Sequence, residues 1–440
     1  MKKRRTIAAM TMAMVMAVCL AGCGGDKPEE TKKPETKTAG TEAAEEKKDG
    51  ETSGKASGES VETIKIGAFF NFSGANADTG ILDGDGAQFA VDWINENGGI
   101  KSLGGAKLEL VNGDTLSDSA QAKAVAERVI SENPDMVAAV GAGGSGYTVA
   151  MGSVFEKNEI PYVQNGVSAS IPEQGYSYTF QPVPNIFGQT QIEFIQYLNE
   201  EYDYGVTKVG IIYEDTDYGI STAQGNLDLA KSAGLEVVFN ESFPANGSDV
   251  SSLITNLKAS GAEMVLPVAF TQDAKLIFNT MSSMDYHPLI LGGGAGFLYP
   301  SFAEELGDAV DGVLSVASLN WDSTSFSGDF SEVARQFEEK YGYFMSEHSA
   351  GTFNHVYIIA QGLEACGTTD GAALAEAIRG LSIETVQGGK TGVLDLDENG
   401  ANKDALPVIV QWGKDEDGTY RPHTVYPVDQ AGDNEFVSVK

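Results

Sequence analysis

An α/β fold of two doubly wound, Rossmann-like lobes, joined by a hinge of several chain crossings, is what this sequence predicts on three observations. From Val61 onward short apolar runs alternate with segments of helical spacing, the pattern of parallel sheets covered by helices on both faces. One composition break, Gln181-Pro182-Val183-Pro184, interrupts that rhythm before it resumes, because two prolines favour extended backbone and lack ladder N–H groups. Past Leu319 the pattern turns helical, with too little strand to make a third lobe. At 440 residues the chain is long enough for two or three domains with ample core.

The first segment stands outside those lobes. Lys2, Lys3, Arg4 and Arg5 form a basic start, and Ile7 to Leu20 form an apolar run too short for an ordinary membrane span. Leu20-Ala21-Gly22-Cys23 then resembles a bacterial lipoprotein signal, in which Cys23 is lipidated and becomes the mature N-terminus. An ordinary cleaved signal with an incidental cysteine is the alternative. Residues 24–60 are mostly Lys, Glu, Thr, Ser, Gly and Ala without an aromatic, the composition of a disordered tether with a reach of roughly 30–37 Å. No second apolar run is long enough to span, so the mature protein is expected to be anchored to a membrane without crossing it.

Charge and cysteine count narrow the class further. The formal charge is −34, and loss of the four basic signal residues makes the exported part about −38. Such a surface repels nucleic acid and anionic lipid. With Cys19 removed and Cys23 lipidated, only Cys366 remains, so no internal disulfide is expected.

In chain order, Ile64 to Phe69 is a strand ending in a turn from Asn71 to Gly80. Ala87, Ala90, Val91 and Ile94 keep helical spacing up to Asn97-Gly98-Gly99. Lys107 to Val111 is a strand, and Ala122, Val125, Ala126 and Val129 mark a helix closed by Asn133-Pro134. Met136 to Val140 is a strand that stops at the run Gly141 to Gly146, where small residues let another molecule approach the backbone. An amphipathic helix and the strand Ile160 to Val163 follow. Ligands bind beyond the carboxyl ends of such strands, where helix N-termini offer unpaired N–H groups. Ser145 and Ser168, at the ends of successive strands, therefore read as the floor of a small-molecule site, although a plain N-cap and a turn residue are their other readings.

After the proline break come a helix at Gln189 to Glu201, the strand Lys208 to Tyr213, and a helix from Gly219 to Ser232. The strand Leu235 to Phe239, a helix with Val250, Leu253, Ile254 and Leu257, and the strand Glu263 to Val268 follow. A helix near Ala274 to Met284 and the strands Leu289 to Leu291 and Val310 to Val316 complete a second doubly wound lobe. The helices Phe330 to Tyr341, His355 to Glu364 and Ala372 to Arg379 are expected to cross back to the first lobe. Strands around Val393 to Leu396 and Leu406 to Gln411 are expected to return to the second. The expected boundaries are 1–22 for the signal, 23–60 for the tether, 61–183 with about 319–392 for the first lobe, and 184–318 with about 393–440 for the second. A cleft between hinged lobes is the expected site.

These segments together resemble a family. The order of lipobox, acidic tether, IKIGAFFNFSGANADTG, DGAQFAVDWINENGGI, GAGGSGY, NGVSAS, KVGIIYEDTDYGIS and IVQW looks like the leucine/isoleucine/valine-binding (branched-chain amino acid) substrate-binding lipoproteins of ABC transporters. The resemblance covers roughly residues 62–415 and implies a type I periplasmic binding protein fold. It implies that Ser145 holds a ligand carboxylate, helped by backbone N–H groups of the following helix; Gly146 and Tyr147 beside it are expected among the ligand-binding residues. It also implies that Gly166 and Ser168 contribute from the second turn, and that Tyr218 and Phe270 close over the ligand from the second lobe. The family's acid for the ligand ammonium belongs in the loop after Leu291, where this chain has Gly292-Gly293-Gly294. Either an α-amino group is not recognised, or another acid such as Asp78, Asp215 or Asp273 does the work.

The residues themselves agree with a polar ligand head group, since hydroxyls and helix N-terminal N–H groups bind a carboxylate without burying a lysine or arginine. Tyr147, Tyr218, Phe270 and Phe297 fall just past predicted strands, and the cleft is expected for Tyr147 and Tyr218. Asp215 or Asp217 reads as the N-cap of the helix that follows.

Enzyme readings fail on specific residues. Gly141, Gly143 and Gly146 fit a dinucleotide fingerprint, yet Gln164 and Asn165 stand where its acid belongs. G-x-S-x-G fails around Ser145 because Tyr147 takes the last glycine position. His287, His348, His355 and His423 form no zinc spacing and offer no clear base for a serine. The expected protein is an exported, lipid-anchored monomer on the outer face of the cytoplasmic membrane, with no cofactor, metal or nucleic acid. It captures a small solute and presents it to an ABC permease. A sensor or interaction module of the same fold, or an exported serine hydrolase using Ser145, are the alternatives.

Overall fold

The computed structural model describes residues 63–184, 186–324, 329–387 and 389–439. The expected export signal, Cys23 and the expected tether fall on residues outside those described. The first lobe opens with β1 (Thr63–Phe70), α1 (Ala77–Glu96), β2 (Lys107–Asp114), α2 (Ser119–Glu132) and β3 (Met136–Gly141). It continues with α3 (Ser145–Lys157), β4 (Tyr162–Gln164), α4 (Ser170–Glu173) and β5 (Thr179–Phe180). Its sheet has the order β2-β1-β3-β4-β5 and its strand pairs are parallel, with Ala68 opposite Val140 and Val140 opposite Val163. Strands buried on both faces need apolar side chains in both directions, and Ile64, Ile66, Ala138 and Val140 are all buried.

The second lobe takes α5 (Phe187–Glu201), β6 (Lys208–Glu214), α6 (Asp217–Ser232), β7 (Glu236–Phe243), α7 (Ser251–Ser260) and β8 (Met264–Val268). To these it adds α8 (Thr271–Ser283), β9 (Leu289–Gly292), α9 (Pro300–Leu306) and β10 (Leu314–Ala317). The chain then crosses back as α10 (Asp329–Tyr341), α11 (Glu347–Cys366) and α12 (Gly371–Arg379), and ends in β11 (Val408–Lys414) and β12 (Tyr420–Tyr426). The order β12-β11-β10-β9-β8-β6-β7 is parallel through its centre, with β11 and β12 as an antiparallel edge. Each sheet carries its own apolar core, and both lie in one unit, Gly58–Lys440.

The crossing helix α11 is the element that matters most for the site. Phe353, Val356, Ile358, Ile359 and Leu363 are buried in the core that α11 shares with α1, β3 and β4, each contributing roughly 1.5–3 kcal/mol of transfer free energy. Close approach of α1 is possible because Gly86 has no side chain: a Cβ there would lie 2.1 Å from the Ser349 carbonyl oxygen. Ser346 caps α11 by accepting from the Ser349 N–H at 3.3 Å, which sets Glu347 and His348 in its first turn.

Three expectations differ from the fold. The turn expected through Gly80 ends sooner, since α1 already begins at Ala77. Val393 to Leu396 is not a strand of the second sheet: Leu394 and Leu396 point into the first-lobe core, and Ala401 bridges Gln181. The Gln181 N–H bonds the Gly400 carbonyl at 2.8 Å and the Asn402 N–H bonds the Gln181 carbonyl at 3.0 Å, so this segment extends the first sheet's edge. Thr216, rather than Asp215 or Asp217, caps α6, its hydroxyl accepting from the Gly219 N–H at 3.2 Å.

Among the described residues no helix is long and apolar enough to cross a membrane, and no cluster of His, Cys, Asp and Glu could hold a metal ion. Cys366 is a free thiol at the end of α11.

Candidate functional site

The carboxyl ends of β3 and β4 face those of β6, β8 and β9 across a cavity of about 30 Å³. That is about the room one water takes in the liquid, ~30 Å³. Gly143, Gly144, Ser145, Asn165 and Gly166 line it from the first lobe, with Glu347 and His348 from α11. Tyr218, Phe270 and Ala295 line it from the second, and Val183, Phe187 and Ser318 come from the crossings.

Ser145 is the first residue of α3 and is buried. Its Oγ accepts from the N–H groups of Val167 and Ser168, both at 3.1 Å. With its lone pairs engaged, the hydroxyl is left to donate its hydrogen to an incoming acceptor. The first-turn N–H groups of α3 have no partner within the helix, so this corner is built to hold a carbonyl or carboxylate oxygen. Gly166 lies alongside, its carbonyl accepting from Gln181 Nε2 at 2.7 Å and its N–H bonded to Gln164.

The aromatic wall forms from the opposite lobe. Tyr218, in the first turn of α6, stands 5.2 Å from Phe270 between ring centroids, and its hydroxyl donates to the Gly293 carbonyl at 2.7 Å. Burial holds the Tyr218 hydroxyl well above its usual range. Phe270 is fixed through its backbone, since its N–H donates to Glu214 Oε2 at 2.9 Å. Glu214 is fully buried, and desolvation pushes its carboxyl up to about 7 despite the bonds from Phe270 and Thr216.

Four other residues expected at the site lie outside the cavity lining. Ser168 is held in its turn by Ser170, with 2.8 Å between hydroxyls, so its side chain serves the loop. Tyr147 is buried beside Phe69 and Met151, and its hydroxyl accepts from Asn76 Nδ2 at 3.0 Å. Gly146 faces Ser119 and Asp217 at the rim, where an added Cβ would be 2.9 Å and 3.1 Å from their side-chain oxygens. Asp78 accepts from the Ser301 hydroxyl at 3.2 Å, a polar contact between the lobes. Phe297, read as a loop aromatic, packs in the second core against Phe302.

Of the acids considered for a ligand ammonium, Asp215 accepts from Ala245 N–H and Asp273 from Asn246 N–H, each at 2.8 Å, away from the cavity. Glu347 is the acid that lines it. Its Oε1 accepts from the Ala295 N–H at 3.0 Å; its Oε2 accepts from the Ser318 N–H at 2.8 Å and the Ser318 hydroxyl at 3.0 Å. Beside it, His348 Nδ1 lies 2.9 Å from Asp83 Oδ1, and Asn165 Nδ2 lies 3.3 Å from the same oxygen. Burial raises the Asp83 carboxyl, partly offset by His348. Burial alone would depress His348, but the charge and hydrogen bond of Asp83 turn its shift upward. Sequence reasoning missed Glu347, His348, Asp83 and Glu214. The available signal was Ser346 as an N-cap, which would have started the helix early enough to put an acid in its first turn.

A wider groove of about 720 Å³ lies at the other end of the second sheet, lined by Val206, Glu263, Leu289 and Val313. These residues precede or begin their strands, opposite the carboxyl ends where such sheets bind ligands.

A family model described as periplasmic binding protein matches residues 63–416. The Leu/Ile/Val-binding protein homolog 7 of Brucella suis biovar 1 (strain 1330) is 32% identical over 377 residues, which is 83% of this chain and 91% of that protein. The homolog 8 of Brucella melitensis biotype 1 is 31% identical over 379 residues, covering 84% and 91%. The fold is similar to that of a leucine binding protein from Thermotoga maritima, with a TM-score of 0.71 at 20% identity over 83% of this chain and 99% of that one. It is also similar to a branched-chain amino acid substrate binding protein from Streptococcus pneumoniae in complex with isoleucine. There the TM-score is 0.69 at 22% identity, covering 82% and 99%. A solute binding protein from Rhodopseudomonas palustris in complex with 3,4-dihydroxy benzoic acid gives 0.71 at 16% identity, covering 82% and 97%.

Proposed function

Because the chain belongs to the periplasmic binding protein family, among the substrate-binding proteins of branched-chain amino acid ABC transporters, we propose that it captures an amino acid or a related carboxylate or amide between its lobes and delivers it to a membrane permease. That family consists of extracytoplasmic solute-binding proteins rather than enzymes. The observation that carries this reading is the composition of the shared cavity. A helix N-terminus with the Ser145 hydroxyl forms one side, and the Tyr218 and Phe270 rings form the other. The polar head of a solute docks on the first lobe; the second lobe then swings in and covers its apolar part. Closure is a population shift drawn by contacts available only when the lobes meet.

The lipid anchor at Cys23 and the acidic tether would hold this body near the membrane, within reach of its permease. A thermal-shift screen of the purified protein against amino acids, short amides and aromatic acids tests the reading, since a ligand stabilises according to its concentration over its Kd. The reading expects at least one of these to raise the midpoint in a dose-dependent way. A flat response to all of them at millimolar concentration would overturn it.

A further inference from the structure

One imidazole sits between two carboxylates where the chain passes from the second lobe back to the first. His423, on β12, has Asp322 Oδ2 3.2 Å from its Nδ1 and Asp415 Oδ1 2.8 Å from its Nε2. A neutral imidazole carries a single N–H and can bond only one of these acids; the protonated ring carries two and bonds both. Asp322 belongs to the crossing between β10 and α10, and Asp415 to the turn between β11 and β12. The neighbouring crossing residue, Trp321, packs against the cores of both lobes and lies 5.8 Å from the His423 ring between centroids.

The groups around this ring continue the chain of charge. Asp415 Oδ2 accepts from Arg421 Nη1 at 2.6 Å, and Arg421 Nη2 donates to Glu338 Oε1 at 2.7 Å. Glu338 stands on α10, whose Val333 and Phe337 lie in the first-lobe core. Arg421 Nη1 also reaches Asp417 Oδ2, at 3.2 Å. Asp322 is held by neutral donors besides the ring: Asn320 Nδ2 and the Thr424 hydroxyl, each at 2.7 Å, and Asn434 Nδ2 at 2.9 Å. These fix the carboxylate but bring no positive charge. Asp322, Asp415, Asp417 and Glu338 thus share Arg421 and, when it is protonated, His423. The hydrogen bond to Asp322 leads in raising the imidazole above its usual value; the charges of Asp322 and Asp415 add to it and burial opposes it. A histidine raised on folding contributes fully below the ordinary value of 6.5 and loses that contribution as pH climbs through its higher folded value.

We propose that His423 is a pH-sensitive clasp on the hinge. Protonated, its ring ties the Asp322 crossing to the β11–β12 turn and, through Arg421, to α10 of the first lobe. The neutral ring releases one carboxylate, the crossing loosens, and the lobes part more readily. Acid surroundings then favour the closed form and alkaline ones the open form. The device rests on the lobe movement of the reading above but on no particular ligand.

Hydrogen exchange of the ligand-free protein, corrected for the intrinsic effect of pH on exchange, tests this together with small-angle X-ray scattering. From about pH 5.5 to about pH 8.5, residues 317–324 and 420–426 are expected to exchange about 10-fold faster, the loss of one charge-assisted hydrogen bond. Residues 63–70 of β1 should stay within about 2-fold. The radius of gyration should rise over the same range. His423→Gln should remove both changes. Asp415→Asn keeps the ring but takes away one acid, so it should move the transition to lower pH, and it decides the matter should His423→Gln not fold. Exchange at the crossing that ignores pH in the wild type, an unaltered slope in His423→Gln, or an unmoved transition in Asp415→Asn would each overturn the proposal. So would a change in exchange with a fixed scattering profile, because His423 would then brace the crossing without governing the lobes. None of these measurements uses a ligand, so a flat ligand screen overturns the solute-binding reading and leaves the clasp standing.

Discussion

The Tyr218 hydroxyl donates to the Gly293 carbonyl at 2.7 Å, tying the first turn of α6 to the loop after β9. This bond holds the ring over the cavity and gives the glycine loop a partner it cannot supply from side chains of its own. Tyr218→Phe leaves a buried carbonyl unsatisfied and should cost about 1–3 kcal/mol in denaturant unfolding. Ligand affinity should fall as well, because the loop beside Ala295 loses its anchor. An unchanged unfolding midpoint would show that the bond contributes nothing.

Ser145 and Ser168 should separate cleanly on mutation. Ser145→Ala removes the acceptor for two backbone N–H groups and the donor facing the cavity, so both stability and ligand binding should drop, stability by about 1–3 kcal/mol. Ser168→Ala removes only a turn contact with Ser170, and ligand affinity should stay within about 2-fold. Paired titrations of the two variants measure the contrast. Equal losses would place Ser168 at the ligand after all.

Glu214 gives the stability a specific pH dependence. Its carboxyl rises from 4.5 to about 7 on folding, because burial penalises the charged form. The folded state therefore holds a proton that the unfolded state has released, and stability declines as pH rises from about 4.5 to about 7. The full difference is on the order of 3 kcal/mol, present at the acid end and gone above neutrality. Glu214→Gln should remove this slope, so the wild-type-minus-variant difference in unfolding free energy should change between pH 5 and pH 7.5. A pH-independent difference would refute it.

The buried pair of Asp83 and His348 should be intolerant of single changes. Asp83→Asn leaves the imidazole without its counter-charge and should cost about 3–5 kcal/mol, as removing one partner of a buried ion pair typically does. Chemical denaturation reads this directly. A loss below about 1 kcal/mol would mean that the pair behaves as an exposed one.

If Cys23 carries the anchor, Cys23→Ser should move the protein from the membrane fraction to the soluble extracytoplasmic fraction while its melting temperature stays the same. Fractionation of cells expressing the two forms decides it. Retention of the variant in the membrane fraction would point to an uncleaved apolar segment instead.

The alternation of apolar runs and helical spacings announced both sheets, because a parallel strand covered on two faces must be apolar throughout and its crossover helix must be amphipathic. The glycine run before Ser145 was equally legible, since a helix N-terminus open to a ligand needs small residues around it. Tyr218 was expected at the cleft from its position just past a strand, and Phe270 only through the resemblance to the family. Tyr147 has the same local signature, yet Asn76 and the core beside Phe69 hold it outside the lining; nothing local distinguishes the two cases.

By itself the sequence determined the α/β class and the glycine-rich turn that leads into α3 at Ser145. These depend on periodicities and turns only a few residues long. Only the tertiary structure decided which acid lines the cavity. Glu347 is 202 positions along the chain from Ser145. The two reach one cavity because α11 buries its apolar face in the first-lobe core and Gly86 lets α1 pack closely against it. The segment from Leu394 to Asn402 was settled the same way: the free edge at Gln181 captured its backbone before the chain crossed to β11. Long-range packing, not local pattern, assigned both.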